Sequence, residues 1–300
     1  MSETKQPGWM SSCFQGRPRY ALLFPFPEMP EAEKEPLRRA LERMRGPNRE
    51  EELSGMSAPE AHGGLGLSAT ACLKAMEEYG RLSGRLPPET LAAGDLGRVG
   101  AGLGLARRAM GSLGSRVSLA GKERDLFALE SMAFAAARFA DRGDLDCRIE
   151  SAICGAGEIP PGFVALAGLD AVGAPAGLLG RARRALLPPP VPGVPACLEA
   201  EAAMIADGAS VLRACCDRTL RKGLGKDEMA LKRISDVATD LFGISATVSR
   251  TASRTAAGEL ALTRRFCREA FSRILLNEAE LGSDSDREFL DLASPARADG

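Results

Sequence analysis

Glu228-Met-Ala-Leu-Lys-Arg-Ile-Ser-Asp-Val-Ala-Thr-Asp-Leu-Phe-Gly-Ile-Ser-Ala-Thr-Val-Ser-Arg-Thr-Ala-Ser-Arg-Thr-Ala256 is the stretch that decides the fold. Leu231, Ile234, Val237, Ala238, Leu241, Val248 and Ala252 recur at three- and four-residue steps, the spacing that stacks side chains on one face of an α-helix. On either side, Cys197–Lys222 and Leu260–Leu276 show the same period. Such stripes are stable only when buried against one another, so a helical hairpin or three-helix bundle is expected here.

Working towards the N-terminus, Glu31–Arg45 carries Leu37, Leu41 and Met44 at helical spacing. Ala69–Ser83 puts Cys72, Leu73, Met76 and Tyr79 on one side. Glu123–Asp141 has an apolar face broad enough for neighbours on more than one side. Between them, Gly84–Gly121 holds glycine at a density that argues against a helix. Residues 1–30 carry five prolines, which exclude a long helix; they read as an extended arm whose aromatics pack on something. The run Leu187-Pro-Pro-Pro-Val-Pro-Gly193 reads as a stiff linker. β-branched runs are nearly absent. The expected protein is all-α, with an arm at 1–30, a helical domain at 31–186, a linker at 187–194 and a C-terminal helical domain at 195–300.

Charge and composition exclude several classes of function. Lys and Arg number 39 against 40 Asp and Glu, a net charge of -1, which gives no basis for attracting nucleic acid or an anionic membrane. Trp9, Tyr20 and Tyr79 are the only Trp and Tyr residues, too few for base-stacking platforms. No apolar run of roughly 18 residues is present to cross a bilayer. The eight cysteines are scattered without a Cys-x-x-Cys, and the single histidine is His62, so no zinc site is expected. Buried, reduced thiols are the expectation.

The motif that invites chemistry is Pro59-Glu-Ala-His-Gly-Gly-Leu-Gly-Leu-Ser68, with Ser68 placed as the N-cap of the helix that follows. Gly64-Leu-Gly66-Leu-Ser-Ala69 satisfies a dinucleotide-binding spacing, but that fingerprint needs a strand before it and a βαβ unit around it. Pro59 and Glu60-Ala-His62 stand in that place. His62 has no nucleophile partner by motif and reads as a surface residue. Glu77, Glu78, Asp141, Asp144, Asp146, Glu150 and Glu158 read as charges on solvated helix faces. No pair of them stands out for acid–base work. Of the vicinal Cys215 and Cys216, one is expected in the core and the other exposed.

Several blocks, in order, resemble the very-long-chain branch of the acyl-CoA dehydrogenase family. The glycine loop is similar to the family's Pro-Glu-(x)-(x)-Gly-Gly-(x)-Gly. Leu129-Glu-Ser-Met-Ala133 and Asp146-Cys-Arg-Ile-Glu-Ser-Ala-Ile153 resemble its Glu-Ser-Met and Ile-Glu-Ala-Ala helices. Phe163-Val-Ala-Leu-Ala-Gly168 resembles the segment after its active-site helix. Ile234–Gly243 with Val248–Arg254 resembles the branch's extra C-terminal helical domain. The resemblance covers about residues 31–280.

Departures from the pattern matter as much. The family's middle β-domain, which carries part of the flavin and acyl-CoA site, has no counterpart between Tyr79 and Glu130. Its Glu-Gly-Thr-Asn segment, with the glutamate that removes the substrate α-proton, is missing. Counting back from Phe163 puts Cys154 at that glutamate. Arg116-Val-Ser-Leu-Ala120 keeps only the arginine of the flavin-contacting motif. The resemblance therefore implies no catalytic, cofactor-binding or metal-binding residue and no cofactor. It implies a non-catalytic structural or assembly subunit of a mitochondrial complex, with respiratory complex I as the model. Its partners would be protein subunits, a homologous acyl-CoA dehydrogenase-like chain among them. The alternatives are an active flavoenzyme working with a partner subunit, with Glu158 as the nearest base, and a non-catalytic acyl-CoA binder.

Overall fold

A computed structural model describes residues 7–46, 55–62, 64–87, 94–112, 116–144, 147–154, 162–173, 191–254 and 256–283, without the side chains of 94–95, 112 and 116–120. These residues form ten α-helices and no strand, so the chain is all-α. The helices are α1 (Trp9–Phe14), α2 (Glu31–Arg43), α3 (Ala69–Ser83), α4 (Gly94–Ser112) and α5 (Arg116–Asp141). They continue as α6 (Cys147–Cys154), α7 (Gly162–Val172), α8 (Glu199–Lys222), α9 (Glu228–Arg254) and α10 (Ala257–Glu280).

Of the stretch Glu228–Ala256, Glu228–Arg254 forms α9, and α9 is the axis of the molecule. It packs on α5, α7, α8 and α10. Burial runs nearly all round it, from Ala230 to Thr251, wider than its apolar stripe. Ser245, Thr247 and Thr251 are tolerated on the buried sides because each hydroxyl finds an oxygen nearby. The Ser245 hydroxyl donates to the Leu241 carbonyl at 2.7 Å, and the Thr247 hydroxyl to the Gly243 carbonyl at 2.8 Å. Thr251 and Thr263 share a hydrogen bond of 2.7 Å that joins α9 to α10.

Two sequence expectations are corrected. Within Gly84–Gly121, residues 94–112 are helical. The glycines there are packing devices. A Cβ on Gly104 would stand 1.8 Å from the Glu77 carbonyl oxygen, one on Gly100 would stand 2.4 Å from that of Leu73, and one on Gly80 would stand 2.0 Å from that of Ala101. The backbones of α3 and α4 meet where side chains would hold them apart. The N-terminal arm also departs from an extended course, because Trp9–Phe14 is helical and Tyr20–Leu22 forms a 3-10 turn. Its aromatics supply the reason: Trp9, Phe14, Phe24 and Phe26 are all buried in the main core. The arm is also tied to α9, where Phe26 N–H donates to Ser253 Oγ at 3.0 Å.

The main core runs from Trp9 to Leu281 and draws on helices from both sides of the proline-rich stretch. Residues 187–190 of the expected linker lie outside the described residues, while Val191 and Val194 pack against this core. A second, smaller core is separate. It joins Ala40 and Met44 at the end of α2, Met56 just before the glycine loop and Leu67 within it, Ala71, Cys72, Ala75, Met76 and Tyr79 of α3, and Ala101 of α4.

Candidate functional site

Ser68 caps α3 as the sequence suggests, accepting from the Ala71 N–H at 3.1 Å, while Gly63 of the loop lies outside the described residues. The loop folds tightly on itself. Gly66 takes φ +58°, and a Cβ on Gly64 would fall 2.1 Å from the Ala58 carbonyl oxygen. Gly66 N–H donates to that same oxygen at 2.8 Å. The loop delivers the first amides of α3 to one point, where a helix N-terminus favours negative charge.

That point is already filled by an internal carboxylate. Asp141, the last residue of α5, accepts from Ala69 N–H at 2.6 Å, from Thr70 N–H at 3.2 Å and from the Thr70 hydroxyl at 2.5 Å. Arg138, one turn earlier, holds Asp141 at 3.1 Å and reaches Glu33 of α2 at 3.2 Å. The Ser68 hydroxyl also donates to Glu33. The amides that a phosphate would need are therefore satisfied by the protein's own side chain.

A second charged cluster lies where α3, α4, α5, α9 and α10 converge. Lys74 bridges Glu77 and Glu130, each at 3.0 Å. Arg107 bridges the same two carboxylates, each at 2.7 Å. Arg250 meets Glu130 at 3.1 Å and Glu259 at 3.5 Å, and lies over the Phe127 ring at 4.6 Å. Burial alone would raise the Glu130 pKa, but Lys74, Arg250 and Arg107 together bring it down to about 2. A carboxylate so firmly ionised is a poor proton acceptor at neutral pH. Its chemistry here is to fasten helices.

The sequence did not single out Lys74, Arg107, Glu130 or Arg250 as a group. A signal existed: Lys74 interrupts the otherwise apolar run Leu73–Met76. The expectation that the carboxylates lie on solvated faces is corrected for three of them. Glu77 and Glu150 are buried, and Asp141 is turned into the α3 N-terminus. Glu150 reaches α1, where its Oε1 accepts from Met10 N–H at 3.1 Å. Asp146 and Glu158 lie outside the described residues. His62 is exposed in the 3-10 turn Glu60–His62.

Both Cys215 and Cys216 are buried, which corrects the expected exposure of one, because α8 is covered by α9 on one side and by α1 and α10 on others. Burial pushes the Cys215 thiol up to about 12 and raises that of Cys154 as well, with Glu150 adding to the latter. These are unreactive thiols. No cluster of three or more His, Cys, Asp or Glu among the described residues could hold a metal. No helix of the described residues is long and apolar enough to cross a membrane.

An open groove of about 540 Å³ lies along α10, lined by Ala261, Arg264, Arg265, Arg268 and Glu269. Two of its arginines are already engaged, Arg264 with the Cys197 carbonyl at 2.8 Å and Arg265 with Glu269 at 3.1 Å. No family model matches the chain, and no curated protein is found to match it.

Proposed function

We propose that this chain is a non-catalytic acyl-CoA dehydrogenase-like protein, a structural or assembly subunit of a mitochondrial complex of the respiratory complex I type. The observation that carries the reading is the Asp141 carboxylate seated on the first amides of α3. In the loop that resembles the family's Gly-Gly-(x)-Gly segment, the charge-binding end of the helix serves the fold. Cys154, which falls at the family's catalytic glutamate, is a buried thiol with a raised pKa and cannot take its place as a base. Glu130, in the segment that resembles the Glu-Ser-Met helix, is held ionised by three cations. Charge that an enzyme would direct at a substrate is spent internally, and what remains is a helical body suited to packing on other proteins.

Native purification tests this directly. The protein should migrate with a larger assembly and be colourless, with no flavin released on denaturation. A yellow protein that oxidises long-chain acyl-CoA would overturn the proposal.

A further inference from the structure

The two cores hold their helices very differently. Helix α2 packs on α3 and leaves most of its surface in solvent. Of its own residues only Ala40 is buried, with Leu37 and Leu41 half-buried beside it and Met44 buried at its cap. Pro36 lies inside the helix, where it removes a backbone hydrogen bond and weakens the segment on its own. Its outer charges pair within the helix: Lys34 with Glu31 at 2.5 Å, and Arg38 with Glu35 at 2.6 Å and with Glu42. Glu33 ties α2 to the body through Arg138 and Ser68.

Beneath α2, helix α3 has two faces with different duties. Leu73, Glu77 and Gly80 turn towards α4, where the backbones touch. Cys72, Ala75, Met76 and Tyr79 belong to the small core, together with Met44 and Met56. Methionine fills irregular apolar surfaces and adapts to more than one occupant. Leu37, Ala40, Leu41 and Met44 lie at i, i+3, i+4 and i+7, the anchor spacing of an amphipathic helix in a groove.

We propose that α2 is a releasable strap occupying a helix-binding groove on α3, and that an amphipathic partner helix with the same anchor spacing displaces it. The strap opens without the main core because it buries little apolar surface. Segments of that kind open locally at far lower free energy than the whole molecule. Release uncovers Met56, Met76 and the Cys72 thiol. The partner's being a subunit of a larger assembly rests on the function proposed above; the strap and its groove stand without it.

Cys72 reports the opening. In the closed state burial raises its pKa to about 11, with Asp141 adding to the effect, so it is protonated and slow to react. Alkylation of the native protein, read cysteine by cysteine by mass spectrometry, should modify Cys72 on the order of tenfold faster than Cys215, Cys216 and Cys267 of the main core. Glu33→Gln should raise the Cys72 rate a further roughly tenfold and leave the other three unchanged. Ala40→Glu should raise it more, and a synthetic peptide of residues 31–45 added in trans should slow it again. Equal rates for Cys72 and the main-core thiols, or indifference to Glu33→Gln, would overturn the strap. Failure of the peptide to protect Cys72 would overturn the groove. Should Ala40→Glu expose all the thiols at once, the peptide is added to Glu33→Gln in mild denaturant, with the same two outcomes. A flavin-bearing protein with a releasable α2 would refute the proposed function and leave the strap standing.

Discussion

At the scale of single residues, charge is used inwardly. Asp141 serves the α3 amides, Glu33 joins α2 to α5 through Arg138, and Glu130 joins three cations from α3, α4 and α9. Helical periodicity does not reveal this, because it records which positions are apolar and treats every carboxylate as surface. Glu77 and Glu130 fall on faces that α4 and α9 cover, and only tertiary contact shows it. The Ser68 cap, by contrast, was legible, since its partner amide is three residues away. The Glu130 cluster has a consequence for acid stability. A carboxyl whose pKa drops on folding contributes stability that is full above its unfolded pKa and is lost as pH falls through the folded value. With 4.5 as the ordinary value and about 2 in the fold, that loss spans pH 4.5 to 2. It amounts to about 3 kcal/mol. Asp240 runs the other way: burial raises its pKa against the opposing pull of Arg273, so its share of stability declines as pH rises through its folded value. Denaturant titrations at pH 7, 4 and 2.5 should show the wild type weakening across the acid window. Glu130→Gln should be less stable at pH 7 and show a flatter slope below pH 4.5. An unchanged slope would remove Glu130 as the cause.

At the scale of elements, α9 was legible and α4 was not, for opposite reasons. The stripe in α9 is made of large apolar residues, which periodicity detects. The contact surface of α4 is made of glycines, whose value lies in what they leave out. Glycine lowers intrinsic helix propensity, so a sequence reading sees a break where the structure has a close helix pair. Positions along one helix separate the two effects. Gly104→Ala would drive a Cβ against the Glu77 carbonyl oxygen at 1.8 Å, so α3 and α4 must part, with an expected loss of about 2–3 kcal/mol. Gly102→Ala and Gly111→Ala meet nothing within 4 Å. There the added methyl group only restricts the unfolded chain and favours the helix, for an expected gain of about 0.5–1 kcal/mol. Thermal unfolding of the three single variants should give one clear loss and two small gains. Three similar losses would mean that the glycines matter for flexibility and not for approach.

At the scale of the molecule, the proline-rich stretch divides the sequence more than it divides the core. Proline at that density signals a stiff connection, but composition says nothing of what lies on either side in space. In the fold, α9 packs on α5 and α7, which precede the stretch, and on α8 and α10, which follow it. The arm seals the arrangement: α1 packs on both α7 and α8, which precede and follow the stretch. Trp9 is the chain's only tryptophan and is 1% exposed within α1, so its fluorescence reads that junction. A shared core of this kind unfolds as one unit. Trp9 fluorescence and far-UV circular dichroism should therefore change with coincident midpoints in urea. Residues 195–283 expressed alone should lose that cooperativity, because the α5 and α7 side of α9 would be bare to water. Separate midpoints, or a cooperatively folded fragment, would show that each half of the chain carries a core sufficient for itself. In that event the contacts of α9 with α5 and α7 would be an interface between two domains.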